Sequence, residues 1–327
     1  MTKRQISFSR PRRALAALAV IAMLFSGCGS QKSRFSRSFP ELFDTVGTLT
    51  VYCGSQEEFD SLYSLALDEL TRLDRLFDIY SEESGGLSQL NREKSLKEPH
   101  GDILELLELG RTMHKSSGGK LNIAIGSVIS CWREAREQGV LPEESRLISL
   151  SEHCGIDSIE LSSDEIIITD PGVSLDVGAI AKGYACDKAA KLLILEGAAS
   201  FALDLGGNVL THGKKPEGDW QIGIKDPDGG VLMVLDMQDG SVVTSGDYER
   251  FYLVDGKRYS HIIDPETLYP PELYRSVTVI CQSSAYADAL STALFCMELT
   301  SGLRLLEEYS ARAVWVLADG STVCSWE

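Results

Sequence analysis

Phe59, Leu62, Tyr63, Ala66, Leu70, Leu73 and Phe77 recur every three or four residues. That spacing collects apolar side chains on one face of a helix and predicts a long amphipathic helix through this segment. Such a helix needs an apolar surface to lie on. The segment before it, TLTVYCG (48–54), reads as a strand. The alternation continues along the chain. SEESGG (81–86) breaks the first helix, and DILELLELGRTMHKSSGG (102–119) forms a second that glycines stop. SIELSSDEIIIT (158–169) has a hairpin pattern with a polar tip. AIAKGYACDKAAKLLILEG (179–197) is a third helix with Gly197 as its C-terminal cap. From about 200 to 281 the pattern is mostly strands, and Asp255-Gly256 marks a two-residue hairpin turn. Helices follow over 284–298 and about 301–309, and a last hairpin turns at Asp319-Gly320. With no internal repeat and no interior linker rich in Pro, Gly or Ser, residues 41–327 form a single large α+β domain in which helices and antiparallel hairpins interleave.

The N-terminus has a different composition. Lys3, Arg4, Arg10, Arg12 and Arg13 precede the apolar run ALAALAVIAMLF (14–25), and no acidic residue occurs before Glu41. A basic segment and twelve apolar residues make a secretory signal, short for a membrane span. The run ends in FSGC at 25–28, which resembles a bacterial lipobox; residues 1–27 are then a lipoprotein signal peptide and Cys28 the lipidated new N-terminus. A plain signal peptide with a chance cysteine is the alternative. Residues 28–40 are polar and basic, as a tether to a membrane would be. The formal charge of −17 excludes a nucleic-acid partner, because a chain so acidic has little with which to neutralise phosphates. The seven cysteines other than Cys28 are odd in number and lack any CxxC spacing, so neither a disulfide framework nor a zinc site is indicated.

Five stretches carry chemistry. In SVTVICQSSAYADALSTALF (276–295), Asp288 and Thr292 are four apart and share a helix face among small residues. A carboxylate and a hydroxyl suit Mg²⁺ that keeps waters and phosphate oxygens, although an aspartate near a helix start can simply favour the dipole. SLDVGAIAKGYACD (174–187) puts Asp176 at the end of a strand and Lys182 in the first turns of the next helix. A helix N-terminus and a mobile lysine suit phosphate; a capping aspartate beside a surface lysine is the alternative. ALDLGGN (202–208) ends a strand in Gly206, Gly207 and Asn208, which could line a pocket or form a bulge. FDIYSEESGGLSQLN (77–91) offers Tyr80, whose flat ring could stack on a ligand or fill a core. VVTSGDYERFYLVDGKRYSHIIDP (242–265) places His261 before a turn, as a half-buried strand residue or as a group that titrates near neutrality.

Together and in this order, these stretches resemble the ApbE family of FAD-dependent protein flavinyltransferases, often lipoproteins, across roughly residues 41–318. The resemblance implies an ApbE-like (T-fold-like) fold. It also implies an Mg²⁺-dependent transfer of FMN from FAD to a threonine hydroxyl of a target protein, with AMP released. The family's magnesium falls on Asp288, Thr292 and Ala179, the last through its carbonyl oxygen. Its FAD contacts fall on Val46, Tyr80, Lys120, Leu121, Asn122, Asp176, Lys182, His261 and Ile262, and His261 matches a proposed base. The implied acceptors are flavin-carrying subunits of membrane electron-transport complexes and other exported flavoproteins. This chain departs from the family pattern at Val46, where a methionine is usual. It departs again in GGKLNIAIGSVISCW (118–132), where Asn122 and Ala124 replace an aspartate and a threonine and a proline is missing. Asn122 brings hydrogen bonds but no charge. Two rival functions share the same residues: an FAD pyrophosphatase giving FMN and AMP, and a non-catalytic flavin-binding lipoprotein.

Overall fold

The computed structural model describes residues 32–81 and 86–326. In chain order it runs β1 (Ser33–Leu42), β2 (Thr45–Cys53), α1 (Gln56–Phe77), α2 (Leu87–Glu93), β3 (Ser95–Lys97), α3 (Gly101–Ser116), α4 (Gly126–Gln138) and α5 (Glu144–Ser151). Then come β4 (Ile159–Leu161), β5 (Glu165–Ile168), α6 (Ala181–Leu195), β6 (Phe201–Leu205), β7 (Asn208–His212), β8 (Trp220–Lys225), β9 (Val231–Met237) and β10 (Gly240–Gly246). The chain closes with β11 (Phe251–Val254), β12 (Lys257–Ser260), β13 (Tyr274–Cys281), α7 (Ser284–Phe295), α8 (Leu299–Glu308), β14 (Arg312–Leu317) and β15 (Thr322–Cys324).

Eight strands make one antiparallel sheet in the order β1-β2-β6-β7-β10-β13-β14-β15. Strand alternation sends Leu49, Val51, Leu203, Val243, Val277, Val279 and Trp315 to the face shared with the helices. Val242, Ile280 and Val314 point the other way, where the β8–β9 hairpin covers them through Ile224. All seven residues of the predicted stripe in α1 are buried. Ser55 starts that helix by accepting the Glu58 N–H at 3.2 Å. The expected α+β architecture is what the chain adopts. Asp255 (φ 49°) and Gly256 (φ 77°) form the β11–β12 turn that the sequence predicts.

Two expectations are corrected, and one helix appears that the sequence did not indicate. Residues 28–40 do not act as a tether throughout, because β1 begins at Ser33 and pairs with β2 at the sheet edge. The segment looks polar in composition, yet Phe35, Arg37 and Phe39 alternate onto one face. Phe35 stacks on Phe59 and Phe39 on Tyr63, and Arg37 lies over both α1 rings while pairing with Asp60 at 2.6 Å. Asp176 does not end a strand; it lies in a loop joined to Ile123 by one backbone hydrogen bond. The stretch 126–138 is α4, its buried face carrying Val128, Cys131, Trp132 and Ala135. Trp132 packs against Tyr252, Tyr259 and Tyr269, so α4 and the β11–β12 hairpin form a second, smaller core. The signal peptide and Cys28 lie outside the described residues.

Candidate active site

Between the main sheet, α4, the loop before α6 and the β11–β12 hairpin lies a cavity of about 910 Å³. That is large for a ligand pocket, whose usual range is about 300–1,000 Å³. Tyr80, Lys120, Leu121, Asn122, Asp176 and Ala179 line it, as do Lys182, His261, Ile262, Asp288 and Thr292. Residues drawn from stretches far apart in the sequence thus meet at one place. Two candidates do not: Val46, which is 63% exposed, and Gly207 lie outside the lining, while Thr45, Gly206 and Asn208 are within it.

Asp288 owes its position to helix packing. Gly183 on α6 faces α7 so closely that a Cβ there would sit 2.3 Å from the Ser284 carbonyl oxygen and 2.7 Å from Asp288 Cβ. Only glycine permits that approach. It lets the Gly183 N–H donate to Asp288 Oδ2 at 2.9 Å, while Lys182 Nζ stands 3.6 Å from Oδ1. Burial pushes the Asp288 pKa up, and Lys182 and the Gly183 N–H pull against that rise. The helix-dipole reading of Asp288 does not hold, because the N-terminus of α7 is already capped. Ser283 accepts the Tyr286 N–H, and Asp187 accepts the N–H groups of Ser284 and Ala285. Asp288 instead faces the cavity one turn before Thr292, whose hydroxyl lies 3.3 Å from that of Ser245. Among the described residues no group of three or more His, Cys, Asp or Glu could hold a metal ion. The corner therefore offers one carboxylate and one hydroxyl, a hard-oxygen pair that fits Mg²⁺ completing its shell with waters and phosphate oxygens.

His261 follows β12 directly. Its backbone N–H donates to the Arg250 carbonyl at 2.9 Å, and its Nδ1 lies 3.1 Å from the same oxygen. A carbonyl can only accept, so Nδ1 carries the proton and Nε2 keeps its lone pair. The ring is exposed to the cavity, whose walls crowd it without sealing it from water. Desolvation by those walls lowers its pKa to about 4; the Arg250 carbonyl opposes the drop, and the charges of Arg250, Lys182 and Arg136 add to it. Water reaching the exposed ring softens the drop without changing its direction. At neutral pH the imidazole is neutral and free to accept a proton.

The other wall is organised by α4. Tyr80 is 51% exposed, with the Arg133 guanidinium 4.1 Å from its ring centroid and its hydroxyl donating to Asp176 at 3.4 Å. Burial first, then the Asp176 charge, pushes the phenol up to about 12. Asp176, half-buried, also accepts the Gly178 N–H, and its pKa is raised by burial. Lys120 is committed to Asp264 at 2.9 Å and Glu266 at 2.7 Å, so its charge is largely spent within the wall. Asn122 accepts the Ala124 N–H at 2.9 Å and donates to the Cys154 carbonyl at 2.8 Å. An aspartate could make the first bond but not the second. Asn122 therefore shapes this loop through its amide, without the missing charge. Arg133, Arg136 and Arg250 also line the cavity. The sequence reading missed them: the two α4 arginines lie on a helix it did not identify.

The ApbE family model matches residues 43–315. A FAD:protein FMN transferase of Treponema pallidum is 35% identical over 66% of this chain and 66% of its own length. The FAD:protein FMN transferase of Escherichia coli (strain K12) is 26% identical over 98% of this chain and 96% of its own. Among solved structures, the ApbE protein of Thermotoga maritima superposes with a TM-score of 0.83 at 27% identity, covering 90% of this chain and 97% of that one. The chain belongs to the ApbE family.

Proposed function

We propose that this chain is an Mg²⁺-dependent FAD:protein FMN transferase that moves FMN from FAD to a threonine hydroxyl of an acceptor flavoprotein. The observation that carries the reading is the meeting of Asp288, Thr292, Lys182 and His261 in one cavity. The family's named activity supports it. In the proposed reaction the threonine oxygen attacks the phosphorus of the FMN half. The bond from that phosphorus to the bridging oxygen breaks, and the bridging oxygen leaves with AMP. Nε2 of His261 takes the threonine proton. Lys182 offsets charge on the pyrophosphate. Asp288, Thr292 and the Ala179 carbonyl would hold Mg²⁺, which supplies charge neutralisation when bound. Tyr80, with Arg133 on one ring face, offers a flat surface to a flavin or adenine.

The same reading places the protein outside the cytoplasmic membrane, anchored through lipid on Cys28, where exported flavoproteins and flavin-carrying subunits of electron-transport complexes would be its acceptors. A Cys28→Ala chain would be unlipidated, with its leader uncut or the chain released in soluble form; unchanged detergent-phase partitioning with the leader still removed would defeat this reading.

The test of the chemistry is His261→Asn, which cannot accept a proton near neutral pH through the replaced nitrogen. Incubation with FAD, Mg²⁺ and an acceptor, followed by denaturation, shows transfer as flavin fluorescence on the acceptor band. A general base contributes about a hundred- to ten-thousand-fold, so the variant should lose at least a hundredfold while still binding FAD. Transfer at close to the normal rate would remove His261 from the proton step. Free FMN with an unlabelled acceptor from the wild type would identify a pyrophosphatase instead.

A further inference from the structure

Asn208 and Ser245 have no part in the chemistry above, yet both lie against it. Asn208 opens β7 opposite Val243 of β10, and Ser245 is two residues further along β10. Residues directly opposite in a ladder and residues two apart in a strand share a face. Both side chains therefore point toward α7, where Asp288 and Thr292 stand one turn apart.

Their hydrogen bonds are unusual in complementary ways. Asn208 is 1% exposed and lines the cavity, but its Nδ2 has no hydrogen-bond partner. Its amide lies beside the Asp288 carboxylate, near enough to help lower that group's pKa against the rise that burial causes. A buried amide donor is costly to leave unmade, and the Asp288 carboxylate is the acceptor at hand for it. Ser245 sits in a chain of hydroxyls. Ser291 Oγ donates to the Asp288 carbonyl at 2.9 Å, which spends its proton. Ser291 is then the acceptor for Ser245, 2.8 Å away, and Ser245 the acceptor for Thr292 at 3.3 Å. The chain runs one way, from Thr292 through Ser245 and Ser291 to the helix backbone. It leaves the lone pairs of Thr292 Oγ1 free.

We propose that Asn208 and Ser245 are positioning residues for the divalent cation: Asn208 holds the Asp288 carboxylate through its Nδ2–H, and Ser245 accepts the Thr292 hydroxyl proton in a hydrogen bond so that both groups offer oxygen to the ion. This rests on the magnesium reading of Asp288 and Thr292. Groups that orient metal ligands typically alter metal affinity by about ten- to a hundredfold.

The experiment titrates the purified full chain with Mn²⁺, a probe for oxygen-ligand sites, following free ion by electron paramagnetic resonance with and without FAD. Asn208→Ala and the near-isosteric Asn208→Leu should each weaken Mn²⁺ binding by about ten- to a hundredfold. Ser245→Ala should weaken it by about tenfold, toward the low end, while Ser245→Thr, which keeps the hydroxyl, should restore it. If the wild type holds Mn²⁺ and these variants match it within about twofold, the positioning role is wrong while the metal reading stands. If FAD affinity falls without any change in Mn²⁺ binding, Asn208 serves the substrate and the proposal is likewise overturned. If the wild type holds no Mn²⁺ in either titration, the metal reading fails and this assignment fails with it.

Discussion

Gly183→Ala should separate the rate of this enzyme from its stability. The added methyl would meet the Ser284 carbonyl oxygen at 2.3 Å, where ordinary contact begins near 3.4 Å, so α6 and α7 must part by roughly an ångström. The obstacle is backbone, which cannot rotate aside. Alanine in place of glycine favours a helix by about 1 kcal/mol, and overpacking a tight contact costs about 1–3 kcal/mol. The two nearly offset, leaving a net loss of roughly 0–2 kcal/mol and a melting temperature lower by a few degrees. Rate should respond differently, because Asp288 rides on α7 and its bond from the Gly183 N–H is only 2.9 Å long. Displacing a reacting constellation by about 1 Å can cost on the order of a hundredfold. The paired measurement is a thermal melt and a flavin-transfer time course on the denatured acceptor band. A folded variant transferring FMN within two- to threefold of wild type would refute the claim that this helix contact sets the Asp288–Thr292 corner.

Three further outcomes follow from the same structure. Transfer should stay flat through neutral pH and fall only below the ordinary histidine range, since desolvation lowers the His261 pKa and protonating Nε2 removes the lone pair; a midpoint at or above 6.5 would contradict this. Asp102→Asn should destabilise the chain by about 2–3 kcal/mol in denaturant titration, below the 3–5 kcal/mol typical of a broken buried pair because its partners Arg72 and Lys188 are partly exposed. Burial alone would raise the Asp102 pKa, but bonds from Lys188, Arg72 and Tyr184 outweigh it and hold it at about 2; the stabilisation is therefore full above the ordinary aspartate range and is lost as pH falls toward 2. Phe39→Ala should cost about 3 kcal/mol on the same assay, because the ring is 3% exposed and stacked on Tyr63; no loss would return residues 33–40 to a tether.

The parts of this molecule legible in its sequence are those governed by local periodicity. The α1 stripe is repeated at helical spacing and becomes a buried face, and Asp255-Gly256 becomes the turn that its left-handed torsions require. Residues of the cavity were legible where a motif tied them together. The pairing of Asp288 with Gly183 was not, since it depends on two helices 105 residues apart touching at a point without side-chain bulk. Arg133 was hidden for a similar reason: its partner Tyr80 lies on another segment, and α4 spaces its apolar residues thinly among charged ones. The Phe35–Arg37–Phe39 face was masked because serines and arginines dominate the composition around two informative rings.

β1 also determines how far a membrane-anchored form could reach. From Cys28 to Ser33 is five residue steps, at most about 18 Å of extended chain. Beyond Ser33 the polypeptide is a strand locked into the sheet, and its far end delivers Glu41 and Leu42 to the rim of the cavity. Nine steps of strand span about 30 Å. With a lipid on Cys28, the rim of the cavity would lie about the length of β1 from the point where the anchored segment enters the fold. Its height over the bilayer would vary with the tilt of the domain and with the reach, at most about 18 Å, of the chain before Ser33. An acceptor would have to present its flavin site within that range, so the geometry of β1 would select among acceptors by the elevation of that site above the lipid.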